Sequence, residues 1–423
     1  MNGRVAALLA ALAVAGASAP VGGCSSGKSG GYTPDDGGTP NLADCGHADC
    51  DADGYATPAD CNDFDPRINP EAFDFAADGV DNDCDGVADD PVLTCETIPA
   101  QAPGSPVDFA RAADLCAQRS ITSAGTVFDP LVHAAWGQVQ GLGPGQTLWT
   151  SQTKPQQVGI ASSFGANQPR QGRTMAGLAN GPWAAGDPRS SAPLDPQGFH
   201  INDGCAAIPL AGQDCASLTD GAAAGGVNVQ DWAELTLTVK IPSNVQTAVF
   251  DFAFFSTEFN QWWGSAANDA FFVLVTSQGF QGQNVAKDKN GLAVTINSGF
   301  FQLCPAWPGP PGMSQDKAAA LQTCVGPSGD PAQSILGTLT GTGYDGATVG
   351  TDDTVLAVNG NKYVYGGGSG WLTAKFPVVP REQIVMRVIV ADAFDGLKDS
   401  AVLLDALRWE PSSESGVGRP TIQ

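Results

Sequence analysis

Alternating aspartates in the N-terminal part of the chain have the spacing of a metal-binding loop. Three carboxylates two residues apart are followed by a glycine: Asp81, Asp83, Asp85 and Gly86. This is the first half of a calcium loop, in which carboxylates at positions 1, 3 and 5 bind the ion and a glycine permits the sharp turn. Position 9 is Asp89, but position 12 is Val92 rather than glutamate. The spacing therefore predicts a calcium-type loop that does not belong to a helix–loop–helix hand.

More carboxylates are clustered within the same segment, residues 45–95. They occur in two runs, Asp51-x-Asp53-Gly54 and Asp60-x-x-Asp63-x-Asp65. The segment has few aliphatic residues, so a hydrophobic core cannot stabilise it. Because unneutralised carboxylates would repel one another, we expect bound cations to compensate them. Oxygen ligands without clustered histidine favour Ca²⁺ over zinc or copper. The alternative is a solvated acidic spacer.

Two cysteines lie inside these acidic runs. Cys61 and Cys84 are predicted to form a disulfide that joins the two halves of the segment. The stretch DCNDFDPRINPEAFDFAADGVDNDCDG, residues 60–86, resembles the MopE-type metal-binding repeat, which has the approximate pattern DCDD-x-D-x-x-x-x-PGA-x-E…DGVDNDCDG. The chain departs from that pattern at Glu71, where the family has glycine, and at Phe73-Asp74. The chain carries one copy of the repeat, and the resemblance implies a metal site built from these carboxylates.

A second set of polar residues lies between two apolar runs, 249–255 and 270–275. This loop carries carboxylates and adjacent tryptophans: Glu258, Trp262, Trp263 and Asp269. A later stretch adds further carboxylates: Asp392, Asp395, Asp399 and Asp405. If both loops lie at one end of the fold, they could form a second calcium site, and the tryptophans could stack on sugar rings. The alternative is that the acids form turns and the tryptophans cap the core.

The sequence gives little support for catalysis. Glu258 and Asp269 are conceivable as a glycosidase pair, but sequence does not fix their separation. The Ser314-x-x-Lys317 match to an S-x-x-K motif has no companion motifs, and the three histidines belong to no H-E-x-x-H or G-x-S-x-G context. We therefore predict that the protein is not an enzyme.

Strand patterns must position these residues. Phe250, Phe252 and Phe254 alternate in an aromatic run that predicts a strand buried on both faces. Similar apolar patterns occur at 235–241, 270–275, 292–296, 384–390 and 402–409, and Ser105-Pro106 begins a short helix. The composition predicts a mainly β fold: a jelly-roll-like antiparallel β-sandwich preceded by a small acidic, disulfide-stapled, metal-binding module. A short helix is also predicted at 314–324, with local disulfides between Cys205 and Cys215 and between Cys304 and Cys324.

The sandwich carries a second resemblance. FDFAFFSTEFNQWW…NDAFFVLV, GGGSGW (366–371) and ADAFDGLKDSAVLLD (391–405) are similar to motifs of the choice-of-anchor L family of exported bacterial domains. The chain departs from the family pattern at Thr257-Glu258-Phe259, where the family has Glu-Glu-Tyr. The resemblance implies an anchored ectodomain and brings no activity with it.

The N-terminus predicts export. Arg4 precedes an apolar run too short to span a membrane, and Val21-Gly22-Gly23-Cys24 resembles a bacterial lipobox, which implies lipidation of Cys24. Eleven cysteines minus Cys24 leave an even number, which suits an oxidising compartment. The predicted order is a signal peptide with lipobox (1–24), a flexible linker (25–44), the acidic module (45–95), a linker (96–104), the sandwich (105–410) and a disordered tail (411–423).

Charge limits the partners. The chain has 20 basic and 44 acidic residues, a net charge of −24, which disfavours nucleic acid and favours cations. We predict a calcium-binding lipoprotein of the outer membrane or cell surface that acts as a binding or adhesion module, with an extracellular glycan or an envelope protein as partner. The alternative is a structural envelope component without a small ligand.

Overall fold

The structure is a computed structural model. It describes residues 45, 48–90, 95, 105–116, 128–137, 157–181, 183, 229–258, 268–287, 291–297, 339, 341–342, 344, 355–358, 361–364, 366–393 and 399–418. In this part of the chain no helix is long and apolar enough to span a membrane. The predicted signal peptide, the linker 25–44, the helix at 314–324 and the cysteine pairs 205/215 and 304/324 lie outside the described residues.

The described elements are one short helix and fourteen strands. In chain order they are α1 (Pro106–Ala112), β1 (Leu131–Trp136), β2 (Val158–Ala161), β3 (Met175–Ala179), β4 (Val229–Lys240), β5 (Thr247–Ser256), β6 (Ala270–Thr276), β7 (Gln281–Asn284), β8 (Val294–Thr295), β9 (Val355–Val358), β10 (Asn361–Val364), β11 (Gly367–Pro377), β12 (Gln383–Ala393), β13 (Ser400–Glu410) and β14 (Gly416–Gly418). Each apolar run singled out in the sequence coincides with or overlaps a strand.

Two antiparallel sheets form a sandwich. One has the order β1-β4-β12-β6-β7, with β8 paired to β6, and the other has the order β14-β11-β5-β13-β3-β2. Strands β9 and β10 pair with each other in a separate two-stranded sheet. Two runs of consecutive strands alternate between the sheets of the sandwich: β4, β5 and β6, and then β11, β12 and β13. The connections therefore cross the core repeatedly, and the predicted antiparallel β-sandwich is confirmed.

Strand β5 is the centre of the second sheet. It pairs with β11 on one side and β13 on the other, and all of its residues are buried. Phe250, Phe252 and Phe254 point into the core between the sheets, whereas Phe255 belongs to a second apolar cluster on the outer face. Aromatic residues on both faces are thus accommodated because apolar layers cover both sides of the strand.

Local sequence signals fix the helix, and the C-terminus differs from prediction. Ser105 caps α1 by accepting a hydrogen bond from the Asp108 amide at 3.2 Å, and Pro106 occupies the first turn.

The tail predicted as disordered from residue 411 contains β14, which pairs with β11. Glu414 of this segment lies 2.9 Å from Lys375 of β11. The segment 416–418 therefore forms a strand because it pairs with the edge of β11, although the sequence predicted disorder there.

The acidic module packs against the sandwich. Phe73 and Phe75 form an edge-to-face pair with ring centroids 5.1 Å apart and contact the core between the sheets. Asn244, buried in the β4–β5 turn, accepts a hydrogen bond from the Phe73 amide at 2.8 Å and donates one to the Phe73 carbonyl at 2.9 Å. Lys240 also pairs with Glu71 at 2.5 Å. The module is therefore held to the sandwich by a defined polar and aromatic interface.

Replacing Asn244 with alanine should loosen this interface. The change leaves both backbone groups of Phe73 without their partner, and an unsatisfied buried polar group costs about 1–3 kcal/mol. We expect a lower free energy of unfolding and faster hydrogen exchange of the Phe73 amide. Gln246→Ala, at an exposed position in the same turn, is the matched control and should change stability by less than about 0.5 kcal/mol. Unchanged exchange at Phe73 in Asn244→Ala would contradict the assignment.

Candidate metal centre

The loop Asp81–Gly86 brings three carboxylates together. Carboxylate oxygens of Asp81, Asp83 and Asp85 lie within 4.8 Å of one another. Asp81 accepts hydrogen bonds from the amides of Asp85 at 3.1 Å and Gly86 at 3.0 Å, which folds the loop around its first carboxylate. Gly86 has φ 95°, a conformation that glycine adopts without steric cost. The structure therefore brings the three carboxylates of this loop together, as their spacing suggested.

A second loop upstream has the same local geometry. Asp49 accepts a hydrogen bond from the Gly54 amide at 3.1 Å, as Asp81 does from Gly86. Asp51 likewise accepts one from the Asp53 amide at 3.1 Å, and Gly54 has φ 99°. Asp49 escaped the sequence prediction, which began this cluster at Asp51. The signal was present, because residues 49–54 read D-x-D-x-D-G.

Five aspartates converge in and beside the upstream loop. Two triads have oxygens within 4.8 Å of one another and share Asp51: Asp49, Asp51, Asp63 and Asp51, Asp53, Asp60. Asp63 accepts a hydrogen bond from the Cys50 amide at 2.9 Å, which ties the later run to the loop. Asp60 and Asp63 of the second predicted run therefore meet Asp51 and Asp53 of the first in space.

Burial and mutual repulsion disturb the acid–base behaviour of these groups. Burial chiefly, with the nearby charges of Asp53 and Asp51, raises the pKa of Asp60 to about 6. Burial and the charge of Asp85 raise the pKa of Asp83 to about 7. Burial also raises the pKa values of Asp51 and Asp53 above their ordinary range. Without a counter-cation, the ionised clusters are therefore electrostatically unfavourable.

Three disulfides bound this region. Cys61–Cys84 joins the two halves of the segment as the sequence predicts, by linking the run 60–63 to the 81–86 loop; Cys45–Cys50 reaches into the upstream loop at Cys50, and Cys95–Cys116 follows the module. Because Cys61 and Cys84 are bonded to each other, neither supplies a thiolate to a metal. The three carboxylate groups of the described residues contain aspartate alone, a donor set that suits hard cations such as Ca²⁺ better than copper.

Two predicted ligands lie apart from these groups. Asp65 forms a bidentate pair with Arg67 at 2.8 and 2.6 Å, and this hydrogen bonding lowers the pKa of Asp65. Asp89 accepts a hydrogen bond from the Gly79 amide at 2.7 Å and has φ 59°. Neither residue belongs to a described group of converging carboxylates.

Predicted ligands of the sandwich collect at one end. Glu258 follows β5, Asp269 precedes β6, Asp392 lies near the end of β12 and Asp399 precedes β13; all are buried. Glu258 accepts a hydrogen bond from the Asp269 amide at 3.1 Å, and Asp269 accepts others from Asn180 and Ser400. Among the described residues, however, no group of three carboxylates within 4.8 Å includes any of them.

The remaining predicted residues of the sandwich are elsewhere. Asp405 lies opposite Asp251 in the β5–β13 pairing, five residues beyond the Ser400–Ser256 pair and so roughly 17 Å along the strand. The expectation that Asp405 joins Glu258 and Asp269 is therefore wrong, because the strand carries it away from that end. Asp395, Trp262 and Trp263 lie outside the described residues, as does Cys24.

The comparisons with known proteins reach the acidic module alone. The Cu-binding MopE family, described as "Putative metal-binding motif", matches residues 60–90. This match includes the 81–86 loop, Asp60 and Asp63, but it begins after Asp49, Asp51 and Asp53. No curated protein and no solved structure matches the chain. The chain therefore contains a motif of the metal-binding class, within a protein that has no matched relative of full length.

Proposed function

We propose that this chain is an exported calcium-binding surface protein without catalytic activity. The observation that carries the proposal is the convergence of Asp81, Asp83 and Asp85 within the segment that matches the metal-binding motif. Oxygen ligands on a loop closed by glycine suit Ca²⁺, which accepts six to eight oxygens in flexible geometry. Backbone carbonyls and water complete such a shell.

The predicted lipobox supports a surface location. Lipidation of Cys24 would tether the chain to the outer membrane, and the Gly/Ser-rich segment 25–44 would separate the folded part from the lipid. Disulfides in the module agree with an oxidising compartment. The similarity to choice-of-anchor L domains remains a sequence-based prediction that fits this arrangement.

The sandwich then serves as a binding or adhesion module. Its ends present loops on a rigid two-sheet scaffold, the arrangement by which many β-sandwiches bind ligands. Trp262 and Trp263, which lie between β5 and β6 in the sequence and outside the described residues, are the residues we propose for stacking on an extracellular glycan. Substituting both with alanine should abolish retention on a glycan column while the melting temperature is unchanged. Loss of folding instead would assign the tryptophans to the core.

A calcium titration tests the proposal. We expect calorimetry of the mature chain, residues 25–423, to show saturable binding with a rise in melting temperature. Asp83→Asn should remove one bound ion, because Asp83 is 1% exposed and lies in the middle of the loop. Glu414→Gln is the control: it removes one negative charge just before β14, outside the acidic module, and should leave the number of bound calcium ions unchanged. Absence of binding at millimolar Ca²⁺, or a tighter isotherm with Cu²⁺, would overturn the calcium assignment.

A further inference from the structure

We infer that a second hard-cation site lies in the loop upstream of the matched motif. Its ligands are five carboxylates that share Asp51 between two triads: Asp49, Asp51, Asp53, Asp60 and Asp63. The family match begins at residue 60 and so contains two of the five. The site is separate from the 81–86 loop, with which it has no ligand in common, so the two assignments stand or fall independently.

Carboxylates of this site have buried oxygens without a hydrogen-bond partner in the described part of the chain. Asp60 is 2% exposed, and its Oδ2 atom is buried without a hydrogen-bond partner among the described residues. The same holds for Asp51 Oδ2 and Asp49 Oδ1, whereas Asp53 Oδ2 lies 3.6 Å from Arg381. Removing an ionised oxygen from water without a partner is strongly unfavourable. A bound cation supplies the missing partner for all of these atoms.

The ligand set identifies the class of ion. Among the described residues, an ion pair to these five carboxylates comes from Arg381, which reaches Asp53 at 3.6 Å from the β11–β12 turn. Such an excess of negative charge favours a multivalent cation, and all-oxygen ligation favours calcium over transition metals. Asp60 stands eleven residues after Asp49, at position 12 of a calcium loop, where a final acidic ligand is expected. The upstream site thus has the closing ligand that the 81–86 loop lacks at Val92.

Tyr55 makes the site observable. Its amide donates a hydrogen bond to Asp53 Oδ1 at 2.8 Å, so the residue adjoins one of the ligands, while the corresponding residue of the other loop is Val87. Terbium, a luminescent substitute for calcium at oxygen sites, should therefore show emission sensitised by Tyr55 when the full mature chain is excited in the tyrosine band. In Tyr55→Phe, the terbium emission sensitised by Tyr55 should disappear, while the number of bound calcium ions should equal that of the wild type.

Substitutions of ligands decide the question. Asp51→Asn and, independently, Asp60→Asn should each lose one bound calcium and the Tyr55-dependent terbium emission, while Asp83→Asn keeps that emission. Exchange of the Phe73 amide reports whether each variant keeps the module folded. Wild-type calcium stoichiometry and emission in both Asp51→Asn and Asp60→Asn would overturn the site. Loss of every ion in a folded Asp51→Asn variant would also overturn it, because the two loops would then form one centre.

Discussion

Replacing Cys61 and Cys84 together with serine is expected to unfold the acidic module and abolish its cation binding. The module has little hydrophobic core of its own, because Ile68 and Ala72 are its buried hydrophobic residues among those described, and its polar and aromatic interface with the sandwich at residues 71–75 lies outside the acidic loops. The disulfide closes a sequence separation of 23 residues. In the chain-entropy model, a cross-link of that span contributes roughly 3 kcal/mol. Its loss also separates the two loops, whose carboxylates then repel without constraint.

A second disulfide provides the matched control for this prediction. Cys95–Cys116 closes a similar separation, 21 residues, and therefore has a similar entropic contribution. It lies outside both acidic loops, so Cys95→Ser with Cys116→Ser should lower stability while calcium stoichiometry is kept. The measurements are calorimetric ion counts and hydrogen exchange at residues 48–90. A Cys61→Ser, Cys84→Ser variant that binds calcium like the wild type would refute the prediction.

The strands were predictable because local patterns suffice for them. The alternating phenylalanines 250, 252 and 254 indicate a strand with apolar layers on both sides, and β5 is buried throughout. The partners of β5 were not predictable in the same way. They are β11 and β13, more than a hundred residues further along the chain. Such pairings depend on the packing of the whole sandwich, which a single sequence does not encode locally.

The metal centre was predictable in proportion to how local it is. The spacing of the aspartates predicts the 81–86 loop. The prediction for the upstream cluster began at Asp51 and so left out Asp49, although the same D-x-D-x-D-G pattern begins there. Arg381 had no sequence signal, since it approaches Asp53 from 328 residues away. Asp405 was grouped with Glu258 and Asp269 because it follows Asp392, Asp395 and Asp399 closely in the sequence. The register of β13 against β5 instead places it opposite Asp251, away from that end of the sandwich. Ligands that lie within one loop can thus be predicted from their spacing in the sequence. Contacts between residues of different elements cannot be predicted until the fold is known.

Asp405 and Asp114 form a buried pair of carboxyl groups inside the sandwich. Asp405 Oδ2 accepts a hydrogen bond from the Arg170 amide at 2.5 Å, and Asp405 Oδ1 accepts one from the Ala406 amide at 2.8 Å. Asp114 follows α1 and is also buried. Burial, with the neighbouring charge of Asp114, raises the pKa of Asp405 to about 8, and burial raises that of Asp114 to about 6. Nearby, Asp251 is paired with the side chains of Arg170 and Arg408.

The sandwich should therefore lose stability as the pH rises. A carboxyl whose pKa is higher in the folded protein than in the unfolded chain stabilises the fold below its ordinary pKa of about 4. That contribution disappears as the pH rises through the folded value, so the free energy of unfolding should fall from pH 5 to beyond pH 8. Asp405→Asn cannot ionise and keeps one of the two oxygens that accept hydrogen bonds from backbone amides, so it should flatten this slope while lowering stability at every pH.

The difference between wild type and Asp405→Asn isolates the pair. Asp60 and Asp83 of the module have raised pKa values too, and without calcium they contribute a pH dependence of the same sign. They are unchanged in the variant, so subtracting the two denaturation profiles removes their contribution. Glu414→Gln, which deletes an exposed carboxylate, should reproduce the wild-type slope. Parallel wild-type and Asp405→Asn profiles between pH 5 and pH 9 would show that Asp405 is ionised throughout, and that the backbone amides around it compensate its burial.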